Sequence, residues 1–230
     1  MTANTLIYAL LGGILPALIW LLFWLREDRA HPEPNREIMK TFLLGMLAVP
    51  LVIPLQKGVE LFFPGVTLLT LLLWAVFEEV FKFLAGYFGG IHTVEDNEPL
   101  DPIIYMITAA LGFVALENTL FILGPLLDEE IISGVITGNM RFIGASLLHV
   151  VCSGLVGSAL AFAFYRKRAE KKLRVALALV GAIVFHTLFN FIIVNFGSTG
   201  TMAAFFLVWA SIVALLLTFE RAKSIAPPSF

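Results

Sequence analysis

The chain has 230 residues, 59% of them hydrophobic and only 14% charged, with a net charge of −2. Soluble globular chains run nearer about 45–50% apolar and about 25% charged, so a mean hydropathy of +0.92, gathered in long runs, makes this an integral membrane protein. The charge balance leaves no basic footprint for nucleic acid, and one cysteine, Cys152, excludes an intramolecular disulfide framework and a cysteine-based zinc ribbon.

A bilayer core of about 30 Å takes about 20 helical residues per pass. On that measure the sequence predicts an all-α polytopic protein of about seven transmembrane helices, a single domain over residues 1–230. The first span, 5–25, has no Lys or Arg before it and meets Arg26 after it, the pattern of an uncleaved anchor with its N-terminus outside. The second, 39–62, contains Pro50 and Pro54, which predict a kink. The third, 65–88, carries Glu78, Glu79 and Lys82 in "AVFEEVFKFLAG". An acidic loop, "HTVEDNEPLD", separates it from the fourth, 102–124. The stretch 125–140 is only moderately apolar and reads as an interfacial or re-entrant piece. The fifth, sixth and seventh spans are expected at 141–165, 174–196 and 201–219.

Twelve of the fifteen Lys and Arg residues fall in the first loop, in "YRKRAEKKLR" and in the tail; Lys57, Lys82 and Arg141 are the others. Seven passes with the N-terminus outside put all twelve on the cytoplasmic side. The expected location is the cell membrane, as a multi-pass protein.

Charged and strongly hydrogen-bonding residues inside these spans are few: Glu78, Glu79, Lys82, Glu117, Asn118, Arg141, His149, His186 and Asn190. An ionised side chain at mid-bilayer costs at least about 2.5–3.5 kcal/mol, and such residues face the bundle interior and mark function. At about 1.5 Å per residue, Glu78 lies roughly 20 Å and His149 roughly 12 Å from the outer ends of their spans. Glu117, Asn118 and His186 lie roughly 18–24 Å from the inner ends of theirs. These depths define one layer between the midplane and the outer face.

Spacing adds detail. Lys82 is i,i+4 from Glu78 and i,i+3 from Glu79, so it can pair with either. His186 and Asn190 share a helix face, as do Arg141, Ala145, His149 and Ser153. Three carboxylates against one lysine leave about two negative charges, which call for a protonated carboxyl, Arg141 or a divalent cation. Glu117, His149 and His186 form a ligand set that suits a catalytic Zn2+ with one open position, and a remaining glutamate would act as general base on water. Ser153 and Cys152 read as packing residues.

Taken together, "EEVFK" (Glu78, Glu79, Lys82), "FVALEN" (Phe113, Glu117, Asn118), His149 on the next span and "HTLFN" (His186, Asn190) resemble the PrsW family of intramembrane proteases, which is related to the CAAX-processing and bacteriocin-processing proteases. The resemblance covers roughly residues 75–190. It implies hydrolysis of a peptide bond in a membrane-anchored protein such as an anti-sigma factor, on the outer side, as the first cut of a signalling cascade. It further implies Glu78 as general base, Glu79 holding it or sharing its role, Lys82 neutralising the pair, and His186 with Asn190 positioning water or the oxyanion. Asn118 and Arg141 would support the set, within a catalytic core of about 65–196. Glu117 stands where the CAAX branch has a histidine, and Lys82 replaces an arginine one residue further on. Whether the reaction is metal-dependent or of the metal-free glutamate type stays open at this point. The competing function is a proton- or cation-coupled transporter or channel, although no paired broken helices or inverted repeat are visible.

Overall fold

The computed structural model describes residues 3–29 and 31–226, and among them every regular element is helical. In chain order these are α1 (Ala3–Glu27), α2 (Asn35–Phe62), α3 (Leu68–Gly86), α4 (Asp101–Leu127), α5 (Ile131–Met140), α6 (Ser146–Phe162) and α7 (Arg168–Ala222). Single π-helical turns at Tyr87–Ile91 and Arg141–Ala145 follow α3 and α5.

Among the described residues five helices are long and apolar enough to cross a membrane: Asn4–Glu27, Asn35–Phe62, Asp101–Leu127, Ile131–Phe162 and Arg168–Ala222. The protein is therefore a multi-pass membrane protein, but the expected count of seven is corrected to five such helices. Two physical features account for the difference. The third expected span does form a helix, but α3 is only 19 residues long and carries three charges. The sixth and seventh expected spans form the two helical arms of α7, which meet at a break in the helical backbone at Gly197 (φ 56°, ψ −139°) and make one element of 55 residues. Only glycine adopts that left-handed backbone without strain. The moderately apolar 125–140 stretch is no separate re-entrant piece, because α5 continues through the π-turn into α6.

The interior is organised around α4, which is apolar on all sides and buried at every position from Asp101 to Ala115, as a core helix must be. It packs against α1, α2, α3, α5 and α6, while α7 packs on α6 and α3. The α2–α4 contact is backbone to backbone: a Cβ on Gly112 would overlap the Phe42 carbonyl oxygen, and one on Gly45 that of Ala109. Small residues that allow such approach are how helices associate in lipid, where apolar burial gives no drive.

The start of α3 is fixed by a reciprocal cap. Thr67 Oγ1 accepts from the Thr70 N–H (3.2 Å), and Thr70 Oγ1 accepts from the Thr67 N–H (3.3 Å). That cap sets the register of α3 and therefore aims Glu78, Glu79 and Lys82 inward. At the opposite end of the bundle the loops converge. His31 Nδ1 meets Glu98 Oε2 at 3.2 Å, Lys223 Nζ meets Glu27 Oε2 at 3.7 Å, and Lys171 acts electrostatically on Asp96. The segments bearing the twelve clustered basic residues thus share one end of the molecule.

Candidate active site

The inward faces of α3, α4, α6 and α7 meet in a polar cluster. Glu78, Glu79, Lys82, Asn118, His149 and His186 are all buried there, and Lys82 is fully so. Glu117 and Arg141 line its margin with side chains 15% and 16% exposed.

Lys82 Nζ donates to Glu79 Oε1 at 2.6 Å and contacts His149 Nδ1 at 2.7 Å. An ammonium has no acceptor, so His149 Nδ1 is the acceptor and its ring proton sits on Nε2. That Nε2–H faces Glu117 Oε2 at 3.3 Å. Glu79 Oε1 also accepts from His186 Nδ1 at 2.7 Å, which leaves the lone pair on His186 Nε2 directed at Glu78 Oε2, 3.6 Å away. The other oxygen, Glu78 Oε1, accepts from Gln56 Nε2 of α2 at 2.8 Å, whereas Oε2 has no hydrogen-bond partner.

Two buried acceptors therefore face each other across 3.6 Å. Such an arrangement is unfavourable unless a donor or a cation lies between them. Water supplies two donors. A zinc ion fits as well, because two ligands on a tetrahedral zinc with bonds of about 2.1 Å are separated by about 3.4 Å. The carboxylate on the far nitrogen of His186, Glu79, is the orienting partner that ligating histidines characteristically have.

Ligand atoms of Glu78, His149 and His186 all lie within 4.8 Å of one another, as do those of Glu79, Cys152 and His186. The first set fits a metal better. Glu78 Oε2 and His186 Nε2 are already free, whereas His149 Nε2 becomes a ligand only if Nδ1 gives up its bond from Lys82. In the second set, Glu79 Oε1 and His186 Nδ1 already bond each other, and Cys152 Sγ donates to the Ala182 carbonyl at 3.5 Å.

Glu117, expected among the ligands, is engaged instead by Arg141 Nη2, while Arg141 Nε donates to Asn118 Oδ1 at 2.5 Å. Asn118 Nδ2 in turn donates to Ser146 Oγ at 3.1 Å. The π-turn at Arg141–Ala145 carries this arginine to α4, and its guanidinium lies 3.9 Å from the Phe121 ring centroid. Glu78, rather than Glu117, is the carboxylate grouped with His149 and His186. Asn190 is half-buried one turn beyond His186 and makes no hydrogen bond with the cluster among the described residues. Gln56 carries no signal in the sequence because it ends an apolar run just before Lys57, where a polar residue reads as solvated.

The chain matches the family described as PrsW family intramembrane metalloprotease over residues 33–217. It is similar to protease PrsW of Halalkalibacterium halodurans, 29% identical over 189 residues that cover 80% of this chain and 82% of the relative. Protease PrsW of Clostridioides difficile is 28% identical over 188 residues, covering 79% and 77%, and that of Bacillus subtilis is 25% identical over 188 residues, covering 79% and 81%. No solved structure matches.

Proposed function

The chain belongs to the PrsW family of intramembrane metalloproteases, and from that premise we propose that it hydrolyses a peptide bond of a membrane-anchored protein with water held between Glu78 and His186. The observation that carries this reading is the buried, unpartnered Glu78 Oε2 facing the lone pair of His186 Nε2 at 3.6 Å. Glu78 takes the proton of the attacking water, a role worth typically about 10²–10⁴-fold in rate. Glu79 holds His186 in the tautomer that leaves Nε2 free, and Lys82 balances the charge of Glu79 and fixes His149 with its proton on Nε2. His149 Nε2–H and the Arg141 guanidinium sit beside Glu117, where they are placed to stabilise negative charge developing on the substrate carbonyl. Asn190 would join them only through a change in α7.

In a metal-loaded site Glu78 and His186 would be ligands, Glu78 then in place of its role as base, and His149 would join them only by giving up the Lys82 bond that keeps its proton on Nε2; zinc is the best match to a carboxylate and two imidazoles. Bound there, zinc would supply Lewis acidity toward water and the carbonyl. The end of the bundle that gathers the basic loops faces the cytoplasm, which puts the cluster toward the outer side. There it would meet a single-span regulatory protein such as an anti-sigma factor. Ion carriage has less support, because the charged groups gather in one compact layer rather than along a path.

The test is cleavage of a single-span anti-sigma factor by protein reconstituted in vesicles, read beside zinc per protein by elemental analysis. The wild type should cut and carry about one zinc per chain. Glu78→Gln should abolish cutting, and His186→Ala should lose both metal and activity. A folded, active wild type with no metal would leave Glu78 as base and remove zinc. Undiminished cleavage by Glu78→Gln would sink the mechanism.

A further inference from the structure

We infer that the cavity between α2 and α4 is the subsite for one apolar substrate side chain beside the bond that is cut. The inference rests on the peptidase reading above and deepens it by naming what the site selects.

The cavity has a volume of about 260 Å³. Its walls are Val52 and Ile53 of α2 with Leu120 and Phe121 of α4, and its polar lining consists of Gln56 and Glu117. Both polar residues lead into the hydrolytic cluster: Gln56 donates to Glu78 Oε1 at 2.8 Å, and Glu117 Oε2 lies 3.3 Å from His149 Nε2. Phe113, which also lines the cavity, has its ring 5.5 Å from that of His149. The inner end of the cavity therefore abuts the reacting groups. Its outer end is flanked by Leu120 and Phe121, 40% and 53% exposed on the face turned to lipid. A substrate helix arriving within the bilayer reaches the cluster through this opening. Pro50 and Pro54 each remove a hydrogen bond from α2 beside it, so the α2 wall is the one that yields with least loss.

Size and charge define the occupant. A cavity of about 150 Å³ lined by Leu, Ile and Phe holds a benzene molecule, so this larger one accommodates Leu, Met or Phe, whereas Gly or Ala would leave most of it empty. A charged side chain is poorly matched there, because an acidic one would lie against Glu117 and a basic one would have to displace Arg141 from it. An unpaired charge in apolar surroundings is strongly unfavourable. Differences of a methylene or two in such a pocket change relative rates by about 10–200-fold.

The test uses a library of single-span peptides randomised across the outer half of the span, reconstituted with the protein in phosphatidylcholine vesicles, with cut sites mapped by mass spectrometry. Wild type should enrich Leu, Met and Phe at one fixed position beside the cut. Leu120→Trp narrows the cavity from a partly exposed position. It should shift preference at that position alone toward Ala and Val, by about tenfold or more, with an unchanged thermal midpoint showing that it folds. A second readout needs no catalysis: Glu78→Gln protein with a photoreactive benzophenone side chain replacing Leu120 should crosslink to library peptides at an apolar residue. An identical profile for wild type and Leu120→Trp, or crosslinks to lipid only, overturns the subsite. Cleavage by Glu78→Gln together with peptide crosslinks at the cavity would instead overturn the role of Glu78 and leave the subsite standing.

Discussion

Glu79 and Asp28 are both almost wholly buried, 1% and 3% exposed, yet the molecule neutralises them in opposite ways. Glu79 lies in the apolar heart of the bundle and is matched by a fixed cation, with Lys82 Nζ at 2.6 Å and His186 Nδ1–H at 2.7 Å. Its neighbour Glu117 has Arg141 in the same role. Asp28 lies just past α1 at the end where the loops converge, near Glu98 and Asp101, with Oδ2 unpartnered among the described residues and Lys223 the cation that acts on it. Burial and these acidic neighbours push the Asp28 carboxyl from 3.8 up to about 7. Asp96 in the same end region is likewise raised to about 7, and Glu33, beside Tyr105 and Asp101, to about 9. In the outer cluster Glu79 and Glu117 are balanced by fixed cations, and Glu78 alone is left without one. At the loop end charge is balanced by protons. Fixed cations hold Glu79 and Glu117 as carboxylates, so Glu78, held only by Gln56, is the one left to take a proton from water.

The sharpest way to break this contrast is to remove the fixed cation. Lys82→Met leaves Glu79 buried with only a neutral imidazole donor, and removing one partner of a buried pair typically costs about 3–5 kcal/mol. We expect a large fall in the unfolding midpoint in detergent, with cleavage lost as well. Adding Glu79→Gln should recover much of the stability but none of the activity, since a neutral amide at that position no longer draws the His186 proton to Nδ1 with a charge. A Lys82→Met protein as stable as wild type would mean that Glu79 is already protonated, like Asp28.

A smaller effect is expected from Arg141→Gln. The arginine is on the margin and makes two charge-assisted contacts, to Glu117 and Asn118, each of a kind worth about 1.5–3 kcal/mol at most. Partial exposure of both side chains, 16% and 15%, reduces that. Stability should drop by about 1–2 kcal/mol on this scale, while kcat falls more than KM rises if the guanidinium faces charge that develops only in the transition state. Equal changes in both would assign Arg141 to ground-state binding.

What the sequence makes legible follows the same division. The outer cluster is legible because charges inside apolar runs stand out and because helical rise converts sequence position into depth: Glu78, Glu79, Lys82, Glu117, His149 and His186 are all marked in this way, and the structure brings them together. Which carboxylate goes with which histidine is not legible. It depends on Arg141 arriving through a π-turn, and nothing in "RFIGAS" marks an extra backbone residue. The number of membrane-crossing helices is overcounted for a related reason. Hydropathy locates apolar runs but does not foresee that a single non-helical residue, Gly197, is all that separates the two arms of α7, or that three charges set α3 apart from the other long helices. The acidic end is invisible as a cluster because Asp28, Glu33, Asp96 and Asp101 lie in two separate segments that read as solvated turns.

The mildest substitution tests the loop end and should act in the opposite direction. In an unfolded chain Asp28 ionises near 3.8, while in the folded protein it holds its proton to about 7. Between those values the folded state binds more protons than the unfolded one, so stability falls as pH rises. The contribution is present in full below about 4, declines through that interval and is gone above about 7. Asparagine mimics the protonated acid. Asp28→Asn should therefore match wild type at pH 4 and exceed it at pH 8, by about 2–4 °C in midpoint for each kcal/mol recovered. Part of the slope should persist, since Asp96 and Glu33 shift the same way. Thermal melts of both proteins at the two pH values read this directly. A variant less stable than wild type at pH 8 would show that Lys223 holds Asp28 ionised after all, and that both ends of the molecule balance carboxylates with fixed cations.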